Sequence, residues 1–132
     1  MKNEKIFQVQ QFILKKKEIL ALVAFGFLVA AFYGNTLLNG FILDDKMVIA
    51  ENPYAQSLSH LPKVVTSCIW EYALGGCQNR TDYYRPVQTL SYILTYQIFP
   101  KPWFFHFINL LYFWGTASVF FILISTLTKN FS

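Results

Sequence analysis

Charge is what this chain has least of. Only 14% of its 132 residues are Asp, Glu, Lys or Arg, against roughly 25% in a soluble domain. Cysteine is scarce too, with Cys68 and Cys77 as the only pair, and no Cys or His spacing resembles a zinc site. There is no internal repeat and no low-complexity tract. The basic residues do not share a face with stacking aromatics, which argues against nucleic acid as a partner. Neither of the two long apolar runs is interrupted by a charge. A transporter or assembly subunit would therefore lack the ionisable residue that marks a pathway.

What is abundant is apolar and aromatic surface. The chain is 55% hydrophobic and 19% aromatic, with 14 Phe, 8 Tyr and 3 Trp. That is too much to hide in so small a globular core, and it predicts a membrane protein. The length suits one domain or a fragment of a larger one. The predicted fold class is an all-α membrane protein: two transmembrane helices joined by an outer segment that carries short amphipathic surface helices.

The placement of charge gives the orientation. The formal charge of +4 lies wholly in the tails, while cations and carboxylates cancel between residues 40 and 103. Lys15, Lys16 and Lys17 abut the first apolar run, so the positive-inside rule puts both termini in the cytoplasm. Residues 1–18 then form a cytoplasmic tail, partly apolar and suited to lying along the membrane as an interfacial helix. Residues 19–39 form the first span. The run Ile19 to Leu38 is uncharged, and its length matches ~30 Å of hydrocarbon at ~1.5 Å per residue. It is too long for the apolar part of a signal peptide, and no small-x-small cleavage site follows.

Residues 40–103 are expected outside, in the periplasm or a secretory lumen, with residues 104–127 as the second span and 128–132 returning to the cytoplasm. Within the outer segment Asn52-Pro53 breaks the chain. Leu61, Val65, Cys68 and Tyr72 recur at helical spacing, which predicts a helix from Leu61 to Leu74 that ends at Gly75-Gly76, with Trp70 as an interface anchor. Asn79-Arg80-Thr81 is a glycosylation sequon if this side is lumenal. Cys68 and Cys77 either pair, if the compartment is oxidising, or remain thiols, with Cys68 packing as a small apolar residue. Pro86 opens a further helix at its first position. Its apolar stripe is Val87, Leu90, Leu94 and Ile98, and at about 14 residues before Pro100-Lys101-Pro102 it is short for a span and reads as a helix on the outer surface, with a re-entrant or spanning piece as the alternative.

Asp44 and Asp45 are the most informative residues. They follow the first span by a few positions, where hydrocarbon gives way to water, and paired acids are costly there unless they bind something. An Asp capping a helix from Lys46 explains one of them. The functional reading is that one carboxylate takes a proton from an acceptor hydroxyl, while the other orients it or holds a divalent cation such as Mg or Mn. Arg85 reads either as a snorkelling interface cation or as a guanidinium fork for a phosphate. Tyr84 flanks it, and Lys101 and His106 are further candidates for an anionic leaving group. His106 and Asn109 are three residues apart and share one side of the second span.

Four short motifs carry a resemblance by their order and spacing. They are Asn39-Gly40-Phe41-Ile42-Leu43-Asp44-Asp45, Glu51-Asn52-Pro53, Tyr84-Arg85-Pro86-Val87-Gln88-Thr89-Leu90, and His106-Phe107-Ile108-Asn109-Leu110-Leu111. Together they resemble the N-terminal part of GT-C class membrane glycosyltransferases, most closely the O-mannosyltransferase-like proteins that carry tetratricopeptide repeats. The resemblance implies a polyprenyl-phosphate-linked sugar as donor, mannose among the candidates. It implies a hydroxyl acceptor, such as Ser or Thr of a protein or a glycan. By position it makes Asp44 or Asp45 catalytic and Arg85 a donor-phosphate contact. A further His expected one turn beyond Asn109 is Phe113 here. Members of that family have many spans, so the chain is expected to be one module of a larger enzyme, inactive alone. The alternative is a non-catalytic two-span protein whose outer segment binds a partner or a lipid head group.

Overall fold

The computed structural model describes residues 2–69, 71 and 84–130, with the backbone alone at 2–15, 65, 129 and 130. Helix is the only regular structure among them. Helix α1 spans Lys2–Tyr33 and runs into a 3-10 turn, Gly34–Leu38. A π-helical turn, Lys46–Ala50, is followed by α2 (Pro53–Gln56), a 3-10 turn (Leu58–His60) and α3 (Leu61–Thr66). Helices α4 (Pro86–Ile98) and α5 (Pro102–Asn130) complete the described chain. The chain divides into two compact units, Met1–Gly34 with Asn109–Ser132, and Asn35–Ile108.

Two stretches are long and apolar enough to cross a membrane, Lys16–Leu38 and Pro102–Thr128. Only 6% of each is buried inside the chain. The core helix of a soluble protein would be mostly covered, so these helices turn their apolar side chains outward. The boundary expected at residue 18 marks composition, not backbone. Lys15-Lys16-Lys17-Glu18 are good helix formers, and with no Gly or Pro before Gly26 nothing stops α1 from running unbroken from Lys2.

In the first unit α1 and α5 run antiparallel. Phe25 meets Phe121 edge-on at 5.5 Å between ring centroids, and Tyr33 meets Phe113 at 5.3 Å. The Trp114 indole lies over Gly26 and donates its N–H to the Leu22 carbonyl at 2.9 Å. The approach is close: a Cβ on Gly26 would stand 3.3 Å from Trp114 Nε1, so the indole would have to give by a few tenths of an ångström.

The second unit is built on a small core. Val48, Ile49, Ile69 and Phe105 are buried together, with Phe41, Tyr92 and Tyr96 packed around them. Asn52 fastens the acidic segment to α2. It is 3% exposed, its side-chain oxygen caps α2 by accepting from Tyr54 N at 2.9 Å, and its amide donates to the Val48 carbonyl at 3.2 Å. Helix α2 then lies on α4, where Ala55 and Ile93 are fully buried. Across that contact the Gln97 side chain donates to the Gln56 carbonyl at 2.9 Å.

The helix expected from Leu61 to Leu74 stops at Thr66 instead, because Ser67 is extended. Two causes act together. Thr66 folds its hydroxyl back onto the Pro62 carbonyl at 3.1 Å, a competing bond that weakens the turn. Beyond it the chain turns Cys68 and Ile69 inward, and both are buried. Cys68 is disulfide-bonded. Trp70, Tyr72, Gly75, Gly76, Cys77 and the sequon Asn79-Arg80-Thr81 lie outside the described residues. Pro86 opens α4 as expected, and α4 is 13 residues long.

Loss of the Asn52 side chain removes a cap and orphans the Val48 carbonyl. Asn52→Ala is therefore expected to cost about 2 kcal/mol, read as a lower thermal midpoint in detergent micelles. Asn52→Asp keeps the cap oxygen but sets a buried carboxylate, which cannot donate, against the Val48 carbonyl, and is not expected to restore the midpoint. A wild-type midpoint for Asn52→Ala would refute this role.

Candidate functional site

The segment carrying the acids is held in an unusual backbone. Leu43 has φ of +47°, the left-handed region a leucine seldom enters. It closes a turn in which Asp45 N donates to the Ile42 carbonyl at 3.0 Å and Lys46 N to the Leu43 carbonyl at 3.2 Å. The π-turn Lys46–Ala50 follows at once. Strained residues and π-turns both recur at functional sites, and here they adjoin on either side of the two aspartates.

That turn separates the pair. Successive helical residues point about 100° apart, so Asp44 is exposed while Asp45 is half-buried. Asp45 stands at the N-cap of the π-turn, but its side chain makes no capping bond. The helix-cap explanation for this acid therefore falls away.

The Asp45 carboxylate is felt electrostatically on α4, at Tyr92. Tyr92 is half-buried, its ring tilted against Phe105 at 6.3 Å between centroids. Its hydroxyl accepts a short hydrogen bond from the Gln88 amide. Gln88 in turn accepts from Arg85 Nη1 at 3.5 Å. Arg85, Gln88 and Tyr92 are spaced three and four residues apart and so share one face of the helix. Burial pushes the Tyr92 phenol above its usual ionisation range. The Gln88 bond works against that, the Asp45 carboxylate adds to it, and the Arg85 guanidinium opposes it. One phenol thus feels both the acid of the first motif and the cation of the third.

The main chain of Arg85 is well fixed. Its carbonyl accepts from Thr89 N at 3.1 Å and from the buried Thr89 hydroxyl at 3.2 Å, and Pro86 follows as the first residue of α4. Tyr84, beside it, is exposed at 51%. The other candidates are placed elsewhere. Lys101 is exposed beyond the far end of α4, a helix of about 20 Å at ~1.5 Å per residue. His106 reaches the Gly40 carbonyl at 3.4 Å and not the aspartates. Asn109, three residues on, is exposed.

Among the described residues no three of His, Cys, Asp and Glu converge to hold a metal ion. A divalent cation at Asp44 and Asp45 would thus find no third His, Cys, Asp or Glu ligand among the described residues. Gln88 and Tyr92 are the site residues that sequence reasoning missed. Their offset from Arg85 was readable, but only the fold brings Asp45 opposite them. No family model, no curated protein and no solved structure matches this chain.

The raised ionisation of Tyr92 has a consequence for stability. A phenol whose folded value lies above its unfolded value of 10.0 contributes stability that is complete below that pH and is lost as pH rises through the folded value. The stability difference between wild type and Tyr92→Phe should be constant below pH 10 and narrow above it. Unfolding measured across that range in micelles checks this, and a constant difference throughout would contradict it.

Proposed function

We propose that this chain supplies part of the active site of an integral-membrane glycosyltransferase. In this reading a sugar, mannose among the candidates, passes from a polyprenyl-phosphate carrier to a hydroxyl such as protein Ser or Thr. One observation carries the proposal: Arg85 is linked to the Tyr92 hydroxyl through Gln88, and Asp45, forty residues earlier in sequence, lies near enough to act on the same phenol electrostatically. A carboxylate and a phosphate-binding cation gathered near one hydroxyl are the two groups that such a transfer requires.

The acceptor oxygen attacks the anomeric carbon and forms the new glycosidic bond. The bond from that carbon to the carrier phosphate breaks, and the phosphate leaves with the electron pair. Asp44, the exposed member of the pair, takes the acceptor proton. Asp45 and Tyr92 orient the acceptor, and the Arg85 fork neutralises the departing phosphate. Tyr84 flanks the donor, and Lys101, His106 and Asn109 are assigned to the carrier's anionic and polar groups outside this cluster.

The topology that goes with it has both termini in the cytoplasm and residues 40–103 outside. The lysine cluster at residues 15–17 supports that orientation, and so does the disulfide at Cys68, since such bonds persist in oxidising compartments.

In the full-length protein, Asp44→Asn and Asp45→Asn are each expected to lower transfer by about 10²-fold or more, the scale of a lost general base. Membrane insertion, assayed by alkaline extraction, should be unchanged. Arg85→Lys keeps the charge and loses the fork, so it should weaken donor use without abolishing it. Full transfer by both aspartate variants would reject the reading.

A further inference from the structure

Helix α4 wears its apolar face outward. Val87, Leu90, Leu94 and Ile98 are 79%, 39%, 50% and 70% exposed, while the opposite side buries Thr89, Ile93 and Thr95. For a helix in water this is inverted, with four aliphatic side chains facing solvent and two threonines facing the interior. The aliphatic stripe runs from the first turn to the last.

We infer that α4 lies in the surface layer of the membrane, with Val87, Leu90, Leu94 and Ile98 sunk into the acyl boundary of anionic lipids. Length excludes a crossing, because 13 residues reach about 20 Å against ~30 Å of hydrocarbon. A stripe that follows the whole helix can meet lipid along its length only if the axis lies along the surface.

Two features select lipid over a protein as the occupant. The first is the tether. Three residues join α4 to α5, a helix apolar enough to cross a membrane, and three residues reach at most about 10 Å. At that joint Phe99 packs on Trp103 at 5.3 Å and on Phe104 at 6.1 Å between centroids. Trp103, exposed at 44%, is an aromatic of the kind that favours the lipid–water boundary.

The second is charge. Arg85 and Lys101 bracket the helix, and no Asp or Glu occurs from Tyr84 to Ser132. An aliphatic stripe on a helix with a cation at each end and no carboxylate of its own suits an anionic head-group layer, and the Asp45 carboxylate acts at Tyr92, away from the stripe. This inference stands apart from the sugar-transfer reading and holds whether or not that reading survives.

The full chain is reconstituted into phosphatidylcholine bilayers with and without phosphatidylglycerol. p-Benzoylphenylalanine is incorporated in place of Leu94, or of Ile98 as a second exposed position, and the irradiated protein is analysed by mass spectrometry. Phospholipid adducts at both positions are expected. Adducts to a second copy of the chain, or none to lipid, would overturn the inference.

As an independent measurement, amide exchange in α4 should slow several-fold when phosphatidylglycerol is added. The Leu90→Asp, Leu94→Asp double variant alters only exposed positions and should lose that slowing. Equal exchange in both bilayers, or an undiminished effect in the double variant, would equally overturn it.

Discussion

Phe105 is the contact on which the second unit depends. It stands in the first turns of α5 yet is only 4% exposed. Phe41 meets it edge-on at 5.3 Å, and Tyr92 leans on it from α4. Val48, Ile49 and Ile69 close the rest of the cluster. One ring at the entry to a long apolar helix therefore positions the acidic segment and the tyrosine-bearing helix together. Tyr92 uses both halves of its side chain, the apolar ring on Phe105 and the hydroxyl on Gln88. The polar network is held in place by an apolar contact.

Much of the architecture was legible in the sequence because it follows from one-dimensional features. The two apolar runs, Pro86 at the start of α4 and the break at Asn52-Pro53 are all local signals. Asp44 and Asp45 stood out by position alone. Their difference in exposure did not, since it depends on a turn through Leu43 that no residue type announces. The early end of α3 was hidden for a similar reason. Helical spacing continues past Thr66, but the pull of the core on Cys68 and Ile69 overrides it. The state of Cys68 stayed open because spacing alone does not choose between thiol and disulfide.

The α4 stripe shows a different limit. Periodicity identifies Val87, Leu90, Leu94 and Ile98 as one face but does not say which medium that face meets. In a soluble domain the aliphatic side would be inside. Here Ile93, Thr89 and Tyr96 occupy the interior side, and the hydroxyl of Thr89 is satisfied by the Arg85 carbonyl. Pattern gives the face; the surroundings decide its direction.

The indole of Trp114 makes a polar contact across the two long helices, to the Leu22 carbonyl above the gap at Gly26. Where hydrocarbon surrounds a helix pair no water competes for such a proton, so breaking the bond there would leave it unmatched at a cost of a few kcal/mol. Sliding α1 past α5 by one turn would do so, and would also drive the ring into a side chain in place of the glycine notch. The pair is thus latched at one register, and the latch tightens as its surroundings become drier.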